Sequence, residues 1–348
     1  MRCLAVACFT LLVLPACSDD SAGTGGGANN TSATGMSTAS SEATSATGSS
    51  PTSTGGSPTS TGAMSTGATT TGGGTCTGKV GPAGDMDYTL EWDGATREYR
   101  VHAPPGYDGT QAAPVVLVLH GYTETNDQIE GISQMTPETD ARGVIVVYPQ
   151  GLSTSWNAGA CCGTSAGSGV DDVGFVGAML DSIEETYCVD EKRIYSSGFS
   201  NGGMLSHRLA CEMSDRIAAI GPVSGTIAVD ECTPSRPVPV MQFHGTSDFV
   251  VPYNGFGLGG AASVPDTEAG WVKRNGCGTT PMVTFDMGDA TCETFTGCQN
   301  DATVTTCTLE GGGHQWPGGM SAGPAGEINM DIFASEAMLD FFAEHPLP

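Results

Sequence analysis

Positive charge is scarce in this sequence, and long apolar runs are missing. The 348 residues include 12 Lys and Arg against 38 Asp and Glu, so the formal net charge is −26. A chain this acidic repels nucleic acid and anionic surfaces, and we expect neither as a partner. The apolar run at the amino terminus is too short for a membrane-spanning helix, which needs about 20 residues.

Residues 1–17 have the features of an export signal. Arg2 supplies a positive start, an apolar run follows, and Leu-Pro-Ala stands directly before Cys17. A cysteine after Leu-x-Ala resembles a bacterial lipobox, in which the cysteine becomes the lipidated first residue of the mature protein. The alternative is ordinary cleavage with Cys17 incidental, but an unpaired cysteine is a liability in an exported protein. We therefore expect an exported protein, either extracellular or anchored at the cell surface through Cys17.

The segment 18–75 contains few of the large apolar and aromatic residues that form a folded core. From residue 21 onward it consists mainly of Ser, Thr, Gly and Ala, with no aromatic residue and one charge, Glu42. Such a segment cannot bury enough apolar surface to offset the chain entropy lost on folding. We predict a disordered linker that holds the following domain, residues 76–348, away from a surface.

The segment 76–348 suits a single large domain with a buried core. Its continuous apolar runs at 115–119 and 144–148 are typical of strands buried on both faces. Further strands are predicted at 193–196, 217–223, 238–243 and 304–309. Helical patterns stand among them at 173–183, 204–210, 265–274 and 331–343. This alternation predicts an α/β fold with a mostly parallel central sheet and helices on both faces. An opening hairpin is predicted at 88–103, and 277–307 is either a stapled excursion or a strand pair.

Cysteine is abundant, with 13 residues in the chain. Cys3 and Cys8 leave with the signal and Cys17 is the lipidation candidate, so an even number, ten, is left for the domain. In an exported chain these are expected to form disulfides. A metal site is the alternative, but the close Cys-x-x-Cys pairs of structural zinc are missing, and we expect no metal. The pairing stays open; our guess for one local bond is Cys292–Cys298.

The clearest catalytic pattern is Gly-x-Ser-x-Gly at Gly198, Ser200 and Gly202. A strand-like run precedes it and a helix-like run follows. In that context the motif is typical of a nucleophile elbow, a tight turn that exposes a serine hydroxyl at the top of a sheet. A Gly/Ser-rich turn without chemistry is the alternative, and the flanking elements argue against it.

An activated serine needs a base within hydrogen-bond reach and an acid that orients the base. In doubly wound hydrolases these follow in the order Ser, Asp or Glu, His, on loops after later strands. Asp248 follows the strand ending at 243, and His314 follows the strand ending near 309. Asp266 and Asp230 are weaker acid candidates, because one lies at a predicted helix start and the other follows no buried strand. The other histidines are predicted to be structural or in the tail: His102, His120, His207, His244 and His345.

Two backbone N–H groups are predicted to stabilise the oxyanion that forms during acyl transfer. One belongs to Asn201, directly after the serine at the amino end of a helix. The other belongs to Tyr122, which follows His-Gly at the end of the 115–119 strand.

A series of spaced motifs resembles the family of secreted polyhydroxybutyrate depolymerases and feruloyl esterases, grouped with carbohydrate esterase family 1. The motifs are His-Gly-Tyr at 120–122, Tyr-Pro-Gln-Gly at 148–151, Ser-Trp-Asn at 155–157, Val-Asp-Asp-Val-Gly-Phe at 170–175, Gly-Phe-Ser-Asn-Gly-Gly at 198–203 and Gly-His-Gln-Trp-Pro at 313–317. The likeness covers about residues 76–345. It is specific for the family and not for the substrate.

The resemblance implies an α/β-hydrolase fold, no cofactor, and a set of site residues. These are a triad of Ser200, Asp248 and His314, an oxyanion hole at Tyr122 and Asn201, and substrate contact by Trp156 and Trp316. Related members often have a cysteine where this chain has Tyr122. This difference affects the expected shape of the pocket and not the oxyanion hole, which needs only the backbone of residue 122. Trp156 is equally well explained as a core aromatic.

The sequence therefore predicts a serine esterase that works through an acyl-enzyme. Feruloyl or acetyl esters of plant cell-wall polysaccharide, such as xylan, are the expected substrates. A hydroxyalkanoate polyester is the alternative, and an inactive carbohydrate-binding lipoprotein is a second one. We expect a monomer whose only partner is its ester-bearing polymer.

Overall fold

The computed structural model describes residues 76–255 and 262–348. The predicted signal, Cys17 and the linker 18–75 lie outside the described residues. The strands are β1 Gly84–Trp92, β2 Ala95–Ala103, β3 Ala113–Leu119, β4 Ile145–Pro149, β5 Val189–Phe199, β6 Ile220–Val223, β7 Val240–Gly245, β8 Met282–Met287, β9 Ala290–Phe295 and β10 Val304–Leu309. The helices are α1 Asn126–Ser133, α2 Met135–Arg142, α3 Gly163–Ser168, α4 Asp172–Thr186, α5 Asn201–Glu212, α6 Val264–Asn275 and α7 Ala334–Glu344.

The strands form one sheet in the order β1-β2-β4-β3-β5-β6-β7-β10-β9-β8. The six central strands, β4 to β10 in that order, run parallel. An antiparallel hairpin closes each edge, β1–β2 on one side and β8–β9 on the other. The prediction of a mostly parallel α/β fold is confirmed. Among the described helices, none combines the length and apolarity that crossing a bilayer requires.

Strand β3 shows why the central strands are apolar throughout. Side chains alternate between the two faces of a sheet. Val115, Leu117 and Leu119 pack into one apolar cluster, which also contains core residues of α4, α5 and α6. Val116 and Val118 pack into the other, with α1 and α7. Because helices cover both faces, neither set of side chains meets water.

The predicted opening hairpin turns at Asp93 and Gly94. Both residues have positive φ, 49° and 76°, which is the backbone of the two-residue turn that matches strand twist. On its strands, Tyr88 stacks on Tyr99 with ring centroids 5.5 Å apart. The hairpin thereby acquires an aromatic cross-strand pair.

The ten cysteines in the described residues form five disulfides: Cys76–Cys188, Cys161–Cys162, Cys211–Cys232, Cys277–Cys298 and Cys292–Cys307. The guess of a Cys292–Cys298 bond is wrong. Cys292 on β9 lies directly opposite Cys307 on β10, so the strand register selects that partner. The extended chain carries Cys298 away from Cys292 to Cys277. The segment 277–307 is thus a strand pair stapled at two places.

Candidate active site

Ser200 lies between β5 and α5 in a backbone conformation that non-glycine residues rarely adopt. Its φ is 53° and its ψ is −117°. Its N–H is held by the carbonyl of Val223 at 2.8 Å. A Cβ at Gly198 would collide with the backbone of Gly202, and one at Gly202 would collide with the backbone of Leu119. The two glycines are therefore needed because three backbone segments converge at the turn, and the strain is typical of a nucleophile elbow.

A cavity of about 840 Å³ opens beside the elbow. Both Ser200 and His314 line it. The His314 ring also lies against Phe199, with ring centroids 4.8 Å apart. In the described part of the chain no hydrogen bond joins the Ser200 hydroxyl to the His314 ring. Such contacts are often loose in ligand-free hydrolases and tighten when substrate binds.

His314 and Asp248 form a buried hydrogen-bonded pair. His314 follows β10 and Asp248 follows β7, so both lie at the carboxyl ends of neighbouring parallel strands. The distance from His314 Nδ1 to Asp248 Oδ2 is 2.7 Å. An ionised carboxylate only accepts hydrogen bonds, so the proton is on Nδ1 and Nε2 is left as the basic nitrogen. This is the tautomer that a general base requires.

The environment of Asp248 keeps it ionised. Its Oδ1 accepts from the backbone N–H groups of Val250 and Val251 at 2.9 and 2.8 Å. His244 Nε2 lies 3.4 Å from Oδ2 while donating to the Val251 carbonyl. Burial raises the pKa of Asp248, but hydrogen bonds from His244 and His314 outweigh burial, and the pKa lies well below its usual value. His244, predicted to be structural, thus supports the carboxylate.

Near Ser200, two backbone N–H groups lack a hydrogen-bond acceptor among the described residues. Asn201 begins α5, and the first N–H groups of a helix have no acceptor within it. Within the described ranges, the Tyr122 N–H also has no hydrogen-bond partner. Both were predicted as oxyanion donors. The Asn201 side chain has a second use that the sequence did not show: it exchanges two hydrogen bonds with the backbone of Trp156, at 2.7 and 3.1 Å.

The two tryptophans predicted to contact substrate are fully buried. Trp156 Nε1 donates to the His120 carbonyl at 2.9 Å, and Trp316 Nε1 donates to Ser335 Oγ at 3.1 Å. Neither belongs to the residues that line the cavity. Both rings therefore pack in the core and do not contact the cavity. The aromatic side chain exposed at the cavity is that of Tyr122, with an exposed fraction of 45%.

The remaining cavity wall combines small, apolar and acidic groups. The paired Cys161 and Cys162 form part of it, as do Met320 and Val250. Glu124 contributes a carboxyl group. Sequence reasoning singled out none of these for the pocket, because they come from four separate loops.

The parallel sheet with a serine at the β5–α5 elbow gives the chain an α/β-hydrolase fold. Residues 97–254 match the family described as Esterase PHB depolymerase. This stretch of the chain is therefore similar to that family, in agreement with the resemblance that its motifs showed.

Comparison with individual proteins agrees with this assignment. Feruloyl esterase B of Piromyces equi is 34% identical over 234 residues, covering 63% of this chain and 42% of that protein. The chain therefore spans less than half of that relative's length. Putative esterase NocK of Nocardia uniformis subsp. tsuyamanensis is 29% identical over 248 residues, covering 65% of this chain and 72% of that protein. The structure of an acetyl xylan esterase from Aspergillus awamori has the same fold, with a TM-score of 0.54 at 14% identity over 74% of this chain and 99% of that one.

Proposed function

We propose that the protein is a serine carboxylic-ester hydrolase with Ser200 as nucleophile, His314 as general base and Asp248 as the orienting acid. The observation that carries the proposal is the buried His314–Asp248 hydrogen bond of 2.7 Å beside a strained serine elbow. The serine and the histidine line the same cavity. The pairing leaves an unprotonated nitrogen available to the serine.

The mechanism follows from these positions. His314 Nε2 takes the Ser200 proton as Oγ bonds to the ester carbonyl carbon, and the carbonyl oxygen becomes an oxyanion. The N–H groups of Tyr122 and Asn201 donate to that oxygen. Collapse of the tetrahedral intermediate expels the alcohol, which leaves with the proton from His314. Water, deprotonated by the same nitrogen, then hydrolyses the acyl-enzyme.

The proposed substrates are feruloyl or acetyl esters of plant cell-wall polysaccharide. Relatives named feruloyl esterase and a fold neighbour named acetyl xylan esterase support this choice. A polyester of hydroxyalkanoate is the second candidate, favoured by the description of the matching family. The proposed partner is the ester-bearing polymer alone, with the enzyme acting as a monomer.

We also propose export, with residues 18–75 as a linker to a lipid anchor at Cys17. The five disulfides of the described residues support an oxidising location, because such bonds persist outside the cytosol. The lipid anchor depends on the sequence pattern at Cys17 alone.

A side-by-side assay on methyl ferulate, acetylated xylan and polyhydroxybutyrate tests the proposal. Ser200→Ala should lower kcat on the preferred substrate by at least about 1,000-fold, because the nucleophile is lost. Ser168→Ala, at an exposed position on α3, is the matched control and should behave like wild type. Full activity of Ser200→Ala would contradict the nucleophile assignment, and the preferred substrate decides between the two candidates.

A further inference from the structure

Glu124 places a carboxyl group in the cavity that the proposed mechanism does not use. It lines the cavity together with Ser200 and His314. Its Oε2 accepts a hydrogen bond from the Gly121 N–H at 2.8 Å. Its Oε1 has no hydrogen-bond partner in the part of the chain that the structure describes. Burial raises the pKa of this carboxyl group above its ordinary value.

The backbone that Glu124 holds is the one that orients an oxyanion donor. The carbonyl of Gly121 and the N–H of Tyr122 belong to one planar peptide unit, so fixing the first fixes the direction of the second. The Gly121 carbonyl accepts from His120 Nδ1 at 2.7 Å and from the Glu124 N–H at 3.2 Å. Glu124 therefore contacts the Gly121 residue twice, once through its backbone and once through its side chain.

Any residue other than glycine at 121 would require the Glu124 carboxyl group to move away. A Cβ there would lie 2.8 Å from Glu124 Oε2 and 3.2 Å from Phe199 Cδ1. Phe199 precedes the nucleophile, so the Glu124 carboxyl group and the elbow enclose Gly121 from two sides. The carboxyl group holds the peptide on the amino side of Gly121, and the Glu124 N–H holds the next peptide, which carries the Tyr122 N–H.

His120 completes this arrangement as a neutral ring. Burial lowers the pKa of His120 to about 4. Its Nε2 accepts from the Gly151 N–H at 2.9 Å, so its proton is on Nδ1 and is donated to Gly121. His120 thus fixes the carbonyl of Gly121, and Glu124 fixes the N–H.

The carboxyl group also determines the charge of the cavity. Among the described residues that line the cavity there is no Lys or Arg. The other acidic residue in the lining, Asp127, is paired with Arg100 at 2.7 Å. Glu124 forms no ion pair with any described residue. An anionic substrate would therefore meet an uncompensated carboxylate.

We infer that Glu124 is a positioning residue that holds the oxyanion donor of Tyr122 through Gly121, and that it selects uncharged esters over anionic ones. The inference rests on the proposed function and adds the charge class of the substrate. Two substitutions of Glu124 test the positioning role and the charge selection separately. Glutamine keeps an oxygen that can accept from Gly121 and removes the charge, whereas alanine removes both.

The experiment compares p-nitrophenyl butyrate with the p-nitrophenyl monoester of succinic acid, which has the same acyl chain length and a carboxylate at its end. Wild type should prefer the butyrate in kcat/KM. Glu124→Gln should keep kcat on the butyrate within about threefold and narrow the preference about tenfold, because the repelling charge is gone. Glu124→Ala should lower kcat on the butyrate at least about tenfold with KM little changed, because the loss falls on oxyanion stabilisation.

Glu185→Gln is the control, since it removes the same charge from an exposed position on α4. It should match wild type on both esters. Wild-type kcat in Glu124→Ala, or an equal loss in both Glu124 variants, would overturn the positioning role. An unchanged preference in Glu124→Gln would overturn the charge selection.

The proposed function is judged separately, by wild type against Ser200→Ala. The rate at which a neutral p-nitrophenyl phosphonate ester labels Ser200 gives a readout of oxyanion stabilisation that needs no turnover. Glu124→Gln should be labelled at a rate near that of wild type, and Glu124→Ala should be labelled more slowly. If wild type hydrolyses no ester but the labelling rates keep this order, the proposed function fails and the positioning role stands. Equal labelling rates in wild type and both Glu124 variants would overturn the positioning role.

Discussion

At the scale of single residues, Asp248 receives four contacts on two oxygen atoms. Two backbone N–H groups hold Oδ1, and His314 and His244 approach Oδ2. A carboxylate held this way has one orientation, and it passes that orientation to the ring of His314. The proposed base therefore has its Nε2 free, because the carboxylate fixes the proton on Nδ1.

Asp248→Asn tests this dependence. An amide in place of the carboxylate can donate to His314 Nδ1 and so favours the tautomer with the proton on Nε2, which cannot act as base. We expect kcat to fall about 1,000- to 10,000-fold while KM changes little. Asp266→Asn is the control, because Asp266 lies exposed in the first turn of α6. Its hydrogen bonds among the described residues are with Ser263, the residue that caps this helix. Near-normal turnover by Asp248→Asn on p-nitrophenyl acetate would remove Asp248 from the mechanism.

The sequence showed some of these residues and not others, for a physical reason. The elbow serine has a local signature, and the positions of Asp248 and His314 follow from strand ends and chain order. The Asn201 side chain and Glu124 have no such signature, because their partners come from other loops or from a backbone bend. The buried pair Arg97–Asp172, joined at 2.7 Å, spans 75 residues and was equally hidden. Burial of a tryptophan ring likewise depends on neighbours that a motif does not contain.

At the scale of elements, His102 connects the opening hairpin to α2. Its Nδ1 contacts Asp85 on β1 at 2.5 Å, and its Nε2 contacts Asp140 on α2 at 2.8 Å. Burial lowers the pKa of His102, but the two carboxylates more than compensate, and the pKa is raised overall. The charged ring therefore holds three elements together.

The stability from this contact should depend on pH. Because the folded-state pKa is raised, the contribution is fully present below the unfolded pKa of about 6.5 and is lost as pH rises through the folded value. Urea unfolding of wild type and His102→Asn at pH 5.5 and pH 9 measures it. The variant should lose more unfolding free energy at pH 5.5 than at pH 9. An equal loss at both would show that the ring acts by packing alone.

The strongly apolar elements were predictable from sequence, and the short polar ones were not. Strand β3 is a continuous apolar run, and a run of that kind has few alternatives in a buried sheet. Helix α1 has eight residues and depends on Thr125 and Gln128, which cap its first turn reciprocally. Helix α2 follows it after one residue in the left-handed conformation, Gln134. In neither helix is the periodic pattern of apolar residues long enough to predict the helix from the sequence.

At the scale of the whole molecule, the disulfides differ in how much chain they enclose. Cys76–Cys188 has a sequence separation of 112 residues, and Cys211–Cys232 has one of 21. On a chain-entropy basis, removing the first should cost about 5 kcal/mol of unfolding free energy and removing the second about 3 kcal/mol. Double serine variants, unfolded in urea without reductant, measure the difference. An equal or reversed order would mean that loop length does not set these contributions.

The Cys76–Cys188 bond also sets the line along which the domain would carry a mechanical load. Cys188 stands directly before β5, and Ser200 stands directly after it. A pull applied at Cys76 against a polymer bound at Ser200 therefore runs along the axis of β5. That strand is hydrogen-bonded to β3 on one side and to β6 on the other, so it can slide only if many bonds break together. The strand that presents Ser200, the proposed nucleophile, is therefore also anchored on both sides against being drawn out of the sheet.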